Sequence, residues 1–168
     1  MAMKTKQIAL LGIMLAMSFG LTALESAVCA FLPPGVRLGL ANIVVMAAIF
    51  LLNRRSALII VVLKACFVFI TRGFTASIMS FFGGAVSLGV ILLLLKIMKN
   101  PSVMMVSVAG AVCHNMAQLA ASALLLHSGY TFYYAPILII SGTIAGTATG
   151  SLLAVFNRIS QNKQGGLL

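Results

Sequence analysis

The sequence contains no aspartate and no tryptophan, and Glu25 is its only acidic residue. Against this single acid stand eleven lysines and arginines, which give a formal net charge of +10, although only 7% of residues are charged. Hydrophobic residues make up 62% of the chain, and the mean hydropathy is +1.18. Such a composition excludes an ordinary soluble domain and predicts a chain whose apolar surface is solvated by lipid.

Motifs for metals, cofactors and nucleotides are also missing. The three cysteines lie in or beside apolar runs without metal-ligand spacing, so neither a disulfide framework nor a metal site is predicted. No glycine loop with a phosphate-binding lysine is present, so energy coupling cannot come from this chain, and no cofactor is predicted. The basic residues lack the aromatic interleaving typical of nucleic-acid binding, so the predicted partner of this basic chain is the lipid bilayer.

Long apolar runs separated by short polar breaks predict an all-α membrane protein with six transmembrane helices. The predicted spans are roughly residues 7–31, 38–52, 56–71, 75–97, 102–127 and 134–157. The second and third are short for a full crossing of about 20 residues, so tilting or burial inside the bundle is expected for them. No linker interrupts the chain, and residues 1–168 are predicted to form a single integral membrane domain.

The distribution of positive charge predicts the orientation. With six spans, both termini and the second and fourth loops lie on one side of the membrane. That side carries Lys4, Lys6, Arg54, Arg55, Lys96, Lys99, Arg158 and Lys163. The loops of the other side carry only Arg37 and Arg72, so the positive-inside rule predicts that both termini are cytoplasmic.

Four ionisable residues are not explained by that rule: Glu25, Arg37, Lys64 and Arg72. Lys64 lies about 12 Å along the third helix from its cytoplasmic end. An ammonium group at that depth is costly unless it meets a cavity or a partner, which makes Lys64 a functional candidate. Glu25 can pair with Lys64 or with Arg37 and merely fasten helices together. Even then two positive charges remain, so an anionic ligand or water must meet them.

A turn segment between the first two spans contributes Arg37. Pro33 and Pro34 end the first helix, and a new helix is predicted to begin near Leu38. A guanidinium beside a helix N-terminus favours anion binding. The alternative is a connecting loop whose arginine reaches lipid phosphate.

The fifth span places His114 and Gln118 on one face, with Asn115 adjacent. In lipid these groups must point into the bundle, either to hydrogen-bond neighbouring helices or to contact a ligand. Two stripes of small residues predict close helix packing, within the chain or between chains. The first consists of Gly12, Ala16 and Gly20, and the second contains Gly142, Gly146 and Gly150.

Several segments together resemble the heptaprenyl diphosphate synthase component I family, also called the Gx transporter family. The most specific is Pro34-Gly35-Val36-Arg37-Leu38-Gly39-Leu40-Ala41-Asn42-Ile43-Val44. Others are Glu25, Lys64 where the family usually has arginine, residues 80–87, and Gly110-Ala111-Val112-Cys113-His114-Asn115-Met116-Ala117-Gln118. The resemblance covers nearly the whole chain.

That family is similar in size, topology and hydropathy to the S components of energy-coupling factor transporters, which bind vitamins or precursors from outside. The resemblance implies an S-component-like bundle in the bacterial cell membrane that binds a small anionic molecule. It implies docking on the transmembrane and ATPase subunits of such a transporter through the stripe of Gly12, Ala16 and Gly20. The implied ligand-binding residues are Glu25, Arg37, Asn42, Lys64, Arg72, His114, Asn115 and Gln118.

The family's synthase name can be tested against the composition. Prenyl transfer needs aspartate-rich motifs that hold Mg²⁺ on a diphosphate, and a chain with one acid cannot build them. The chain is therefore predicted not to be an enzyme. The alternative function is a non-catalytic membrane subunit or assembly factor of a polyprenyl diphosphate synthase or a quinone-linked redox system.

Overall fold

A computed structural model describes residues 5–29, 42–127 and 129–165, and within these ranges the chain is helical without any strand. The helices are α1 (Thr5–Cys29), α2 (Asn42–Leu51), α3 (Arg54–Arg72), α4 (Phe74–Ile97), α5 (Val103–Leu126) and α6 (Ala135–Gly165). A 3₁₀ turn, Gly129–Tyr134, precedes α6. The prediction of an all-α fold with six helices is confirmed.

Local signals account for the helix ends. The side chain of Asn53 caps α3 by accepting a hydrogen bond from the backbone N–H of Ser56 at 2.9 Å. Gly73 alone separates α3 from α4, with φ of +86°, a conformation that favours glycine. Helix α5 ends at His127 in the left-handed region, and the His127 N–H bonds to the carbonyl of Ala123.

The observed bounds differ from the predicted ones mainly in α6. This helix continues to Gly165, eight residues beyond the predicted end at 157. Hydrophobic periodicity stops near 157, but residues 158–164 contain no proline or glycine, and arginine, lysine and glutamine are good helix formers. The predicted end of α1 at residue 31 and the predicted start of α2 at residue 38 lie outside the described residues.

The helices alternate in direction through the bundle. Short connections make the helices from α2 to α6 antiparallel to their neighbours in sequence. Helix α1 runs parallel to α3, because Phe19 stacks on Phe67 and, farther along both helices, Ser26 lies near Thr71. The two ends of the bundle can therefore be told apart, and the end at which α3 passes into α4 is called the Gly73 end below.

Four helical segments are long and apolar enough to cross a membrane: Gln7–Ala27, Phe74–Ile97, Val103–Leu126 and Gly129–Val155. The outer surface agrees with this, because large apolar side chains such as Ile70 and Leu124 are 82% and 76% exposed. Helix α2, with ten residues, is only about 15 Å long. The chain is thus a membrane protein, while six crossings and cytoplasmic termini remain predictions.

Helix α2 forms the centre of the bundle. It packs against α1, α3, α4 and α5, and Val44, Val45, Met46 and Ala48 are each at most 3% exposed. A helix that is apolar on every side is expected to be buried on every side. Because of this position, a polar residue at the start of α2 is also brought into the interior.

Glycines allow the closest helix contacts. A Cβ atom added at Gly146 of α6 would lie 2.6 Å from the Cα atom of Val108 in α5, and Gly142 and Gly150 meet the α5 backbone in the same way. The second small-residue stripe is therefore an internal packing surface between α5 and α6, as expected.

A candidate ligand-binding site

Polar side chains collect in the interior of this apolar bundle. Besides uncharged groups, they include Glu25 of α1 and Lys64 of α3, each only 6% exposed, and His114 of α5, which is 1% exposed. Ionisable groups are expensive in such surroundings, and neither Glu25 nor Lys64 is without a partner in the fold. Buried residues of this type in a membrane protein indicate a functional site.

His114 and Gln118 form one polar unit of that interior. The Gln118 Nε2 atom lies 3.0 Å from His114 Nε2, within hydrogen-bonding distance. Gly83 of α4 packs directly against both, because an added Cβ would come 2.7 Å from Gln118 Cγ and 2.9 Å from His114 Cε1. The pair thus faces α4, and the glycine makes room for it.

Asn42 belongs to a second polar unit that crosses three helices. Its Nδ2 donates to the Oγ of Ser87 in α4 at 3.0 Å, and the Ser87 hydroxyl donates to the carbonyl of Gly110 in α5 at 2.8 Å. Both side chains are at least nine-tenths buried. This relay connects the start of α2 to α4 and α5 through the hydroxyl of Ser87, which was not predicted as a site residue.

Asn115 points away from its neighbour His114. Its Nδ2 donates to the backbone carbonyl of Leu138 at 2.9 Å and lies 3.4 Å from the hydroxyl of Ser141, both in α6. Adjacent residues on a helix are about 100° apart around its axis, so His114 and Asn115 cannot share a face. The structure therefore separates the predicted trio, with His114 and Gln118 directed at α4 and Asn115 directed at α6.

Arg72, the last residue of α3, is half-buried and lines a cavity of about 240 Å³ between α1 and α3. The other lining residues are Thr22, Ala23, Ser26, Phe67 and Thr71. The hydroxyl residues of α1 were not predicted as site residues. Their spacing (Ser18, Thr22 and Ser26 at intervals of four) marks one helix face and was the signal that could have revealed them.

The remaining predicted site residues divide into two groups. Arg37 lies outside the described residues, so the alternative in which Glu25 pairs with Arg37 rather than Lys64 stays untested, and the role of Arg37 at the ligand stays a prediction. Gly12, Ala16 and Gly20 lie on an exposed face of α1, and no atom of a neighbouring element lies within 4 Å of a Cβ built on either glycine. In the described parts of the chain no three metal-ligating side chains come together.

A family model described as heptaprenyl diphosphate synthase component I matches residues 14–156. The match includes all six helices in whole or in part, and every predicted ligand-binding residue falls within it. No curated protein and no solved structure matches the chain.

Proposed function

The chain belongs to the heptaprenyl diphosphate synthase component I family, and we propose that it is a membrane-embedded, S-component-like subunit that binds a small anionic molecule for uptake. It would have no catalytic or ATPase activity of its own. We place it in the bacterial cell membrane, with its ligand entering from the outer face.

One observation carries this proposal: an ammonium, a carboxylate and an imidazole are buried within a bundle whose surface is apolar. Lys64, Glu25 and His114 lie on three different helices, and each is more than nine-tenths buried. A role in helix packing alone would be served more cheaply by apolar side chains of similar volume. Buried ionisable groups at membrane depth are typical of ligand and ion pathways.

The sign of the charge favours an anion. The chain has a single carboxylate side chain, Glu25, whereas Lys64 and Arg72 both lie in the interior or at a cavity, and Arg37 is close in sequence to the buried Asn42. One carboxylate cannot neutralise three cations. An anionic ligand group would supply the missing negative charge through charge-assisted hydrogen bonds.

The contacts suggest how the roles are divided among the candidates. Arg37, Lys64 and Arg72 would bind the anionic group. Glu25 would orient the ligand or neutralise one of these cations. Of the uncharged residues, the His114–Gln118 pair is the better candidate for ligand contact, because its two side chains lie 3.0 Å apart in the buried interior, on the face of α5 directed at α4. Asn42 and Asn115 would support the structure of the site, since the side-chain amide N–H groups of both donate hydrogen bonds to neighbouring helices.

The exposed small-residue face of α1 would be the docking surface for transmembrane and ATPase subunits of an energy-coupling factor transporter. Gly12, Ala16 and Gly20 meet no neighbouring helix within the described chain, and small side chains permit backbone-level approach by another protein. Such subunits would supply the energy that this chain has no motif to provide.

A second candidate function rests on the family's description as a synthase component. The chain would then be a non-catalytic membrane subunit or assembly factor of a polyprenyl diphosphate synthase or a quinone-linked redox system. The absence of aspartate argues against catalysis in either case.

Native mass spectrometry of the purified full-length protein tests the proposal. We expect a bound small molecule with an acidic group, in an amount that falls in Lys64→Ala and not in the Lys96→Ala control, since Lys96 is exposed near the end of α4. The absence of any bound molecule, together with co-purification of a prenyl synthase, would favour the second candidate function.

A further inference from the structure

The cavity between α1 and α3 has an unusual set of polar groups. It opens near the Gly73 end of the bundle, where Arg72 ends α3, and three hydroxyl residues line it: Thr22 and Ser26 from α1 and Thr71 from α3. Its volume of about 240 Å³ equals that of roughly eight water molecules at liquid density. A group the size of a lipid or metabolite headgroup fits in such a space.

Each of these three hydroxyl groups already donates its proton in a hydrogen bond to a backbone carbonyl. Thr22 donates to the carbonyl of Ser18 at 2.8 Å, Ser26 donates to the carbonyl of Thr22 at 2.7 Å, and Thr71 donates to the carbonyl of Phe67 at 2.9 Å. A carbonyl can only accept, and a hydroxyl has one proton, so each oxygen keeps only acceptor capacity. Toward a ligand in the cavity, the hydroxyls are hydrogen-bond acceptors.

Arg72 provides the opposite character. Its guanidinium has five N–H donors and no acceptor, and its charge does not depend on pH in the physiological range. A simple anion such as phosphate would match Arg72 but would place its oxygens against three acceptor oxygens. A ligand that carries both an anionic group and a donor matches every polar group of the lining.

An aromatic pair lies beside the cavity. Phe67, one of the lining residues, stacks on Phe19 with ring centroids 4.3 Å apart and an angle of 9° between the planes. The pair joins α1 to α3 on the side toward the bundle's middle.

We propose that this cavity binds an anionic group linked through a short spacer to an N–H or O–H donor. The anion would lie on Arg72, and the donor would lie on the oxygens of Thr22, Ser26 and Thr71. The inference rests on the proposed function only in that both use Arg72. The same chemistry occurs in a free phosphorylated amine and in the headgroup of phosphatidylethanolamine, and the experiment distinguishes these two sources.

Two matched probes measure the contribution of the ligand's N–H donor to binding. O-phosphoethanolamine and O-phosphocholine have the same phosphate and spacer, but only the first has N–H donors. Titrated into the delipidated full-length protein in detergent, O-phosphoethanolamine should bind roughly tenfold more tightly, as expected for one added hydrogen bond to a charged group. The lipid arm compares short-chain phosphatidylethanolamine with phosphatidylcholine by native mass spectrometry.

Variants of the lining residues show which of them cause the preference for O-phosphoethanolamine over O-phosphocholine. Ser26→Ala with Thr71→Val removes two acceptors and should abolish the preference between the two probes while leaving phosphocholine affinity within about twofold. Arg72→Gln should weaken both probes by at least about tenfold. Arg55→Gln, an exposed arginine at the other end of α3, is the matched control and should change neither. Thr71→Val alone serves if the double variant is unstable, and should reduce the preference.

The outcomes separate clearly. Discrimination in the lipid arm alone supports the proposal with a lipid headgroup as the source, and discrimination in the soluble arm alone supports it with a free ligand. Equal affinity for both probes in both arms would overturn it, as would a preference that survives loss of the two hydroxyls. Such a failure would leave Lys64-dependent binding of a co-purifying molecule unaffected, so it is distinguishable from failure of the proposed function.

Discussion

Gly83 of α4 and Gln118 of α5 approach so closely that a Cβ added to the glycine would lie 2.7 Å from Gln118 Cγ. The same added atom would come 2.9 Å from Cε1 of His114. Real side chains do not tolerate such distances, so the glycine is required for the His114–Gln118 pair to occupy its present position. A residue without a side chain thus determines where two polar candidates of the site lie.

Gly83→Ala should therefore disturb the site and destabilise the fold together. We expect a loss of roughly 1–3 kcal/mol in stability, which is the usual cost of overpacking. Gly89→Ala is the matched control in the same helix, because nothing lies within 4 Å of its added Cβ, and it should be neutral or slightly stabilising. Thermal unfolding in detergent measures both. Equal stability of the two variants would mean that α4 and α5 pack differently.

Sequence patterns predicted the helices well because each helix is marked by an apolar run and by the residues that interrupt it. Asn53, Gly73 and Pro101 lie at three of the five breaks between apolar runs, and the observed helices begin or end within four residues of them. The extension of α6 was missed because its last turns are polar. Hydrophobic periodicity cannot detect a helical stretch that has no apolar face.

The candidate site was predictable only in part. Burial of His114, Asn115 and Gln118 follows from their place in an apolar helix, but their division between α4 and α6 depends on which helices pack on α5. The cavity at Arg72 depends on the pairing of α1 with α3, which are separated in sequence by α2. No local pattern contains such pairings, and they become visible only in three dimensions.

Membrane orientation can be tested by cysteine labelling in a variant that lacks Cys29, Cys66 and Cys113. Tyr130→Cys, at a residue that is 79% exposed, should react with an impermeant reagent added from outside the cell. Asn53→Cys and Asn100→Cys, also exposed, should react only after the membrane is permeabilised. Labelling of Asn53→Cys from outside would contradict six alternating crossings and the predicted position of Arg72 on the outer side of the membrane.

Docking through α1 predicts a specific effect of Ala16→Leu. Ala16 lies on the exposed face between Gly12 and Gly20, so a larger side chain has space in the isolated chain, and stability should change by less than about 0.5 kcal/mol. The same side chain would hold a partner helix away, and co-purification with transporter subunits should be lost. Leu10→Ala, elsewhere on the exposed surface of α1, is the control and should retain the partner.

The result for Ala16→Leu also separates the two candidate functions. Retained co-purification of an ATPase-containing complex would show that this face is not the docking surface. Co-purification of a prenyl synthase without any ATPase, in wild type as well as in the variant, would favour the non-transport function.

The cationic candidates Arg37 and Lys64 give the sharpest distinction between a role in ligand binding and a role in structure. Arg37→Ala and Lys64→Ala should each weaken binding of the co-purifying molecule by roughly 1.5–3 kcal/mol, the range for hydrogen bonds to charged groups. Replacing Lys64 removes the cost of burying an ammonium as well as its interactions, and these two effects oppose each other. The stability of the ligand-free protein should therefore change little. Ligand-induced thermal shift measures both quantities, and Lys96→Ala is the exposed control.

Glu25→Gln completes the test because it removes the only acidic side chain without changing its shape. If the carboxylate neutralises Lys64 or Arg37, its loss should destabilise the ligand-free protein and strengthen binding of an anion, since more positive charge is left for the ligand. If the carboxylate holds a cationic part of the ligand, its loss should weaken binding instead. Should Arg37→Ala and Lys64→Ala destabilise the ligand-free protein while leaving affinity unchanged, the two cations would be structural, and the anion site would have to lie elsewhere.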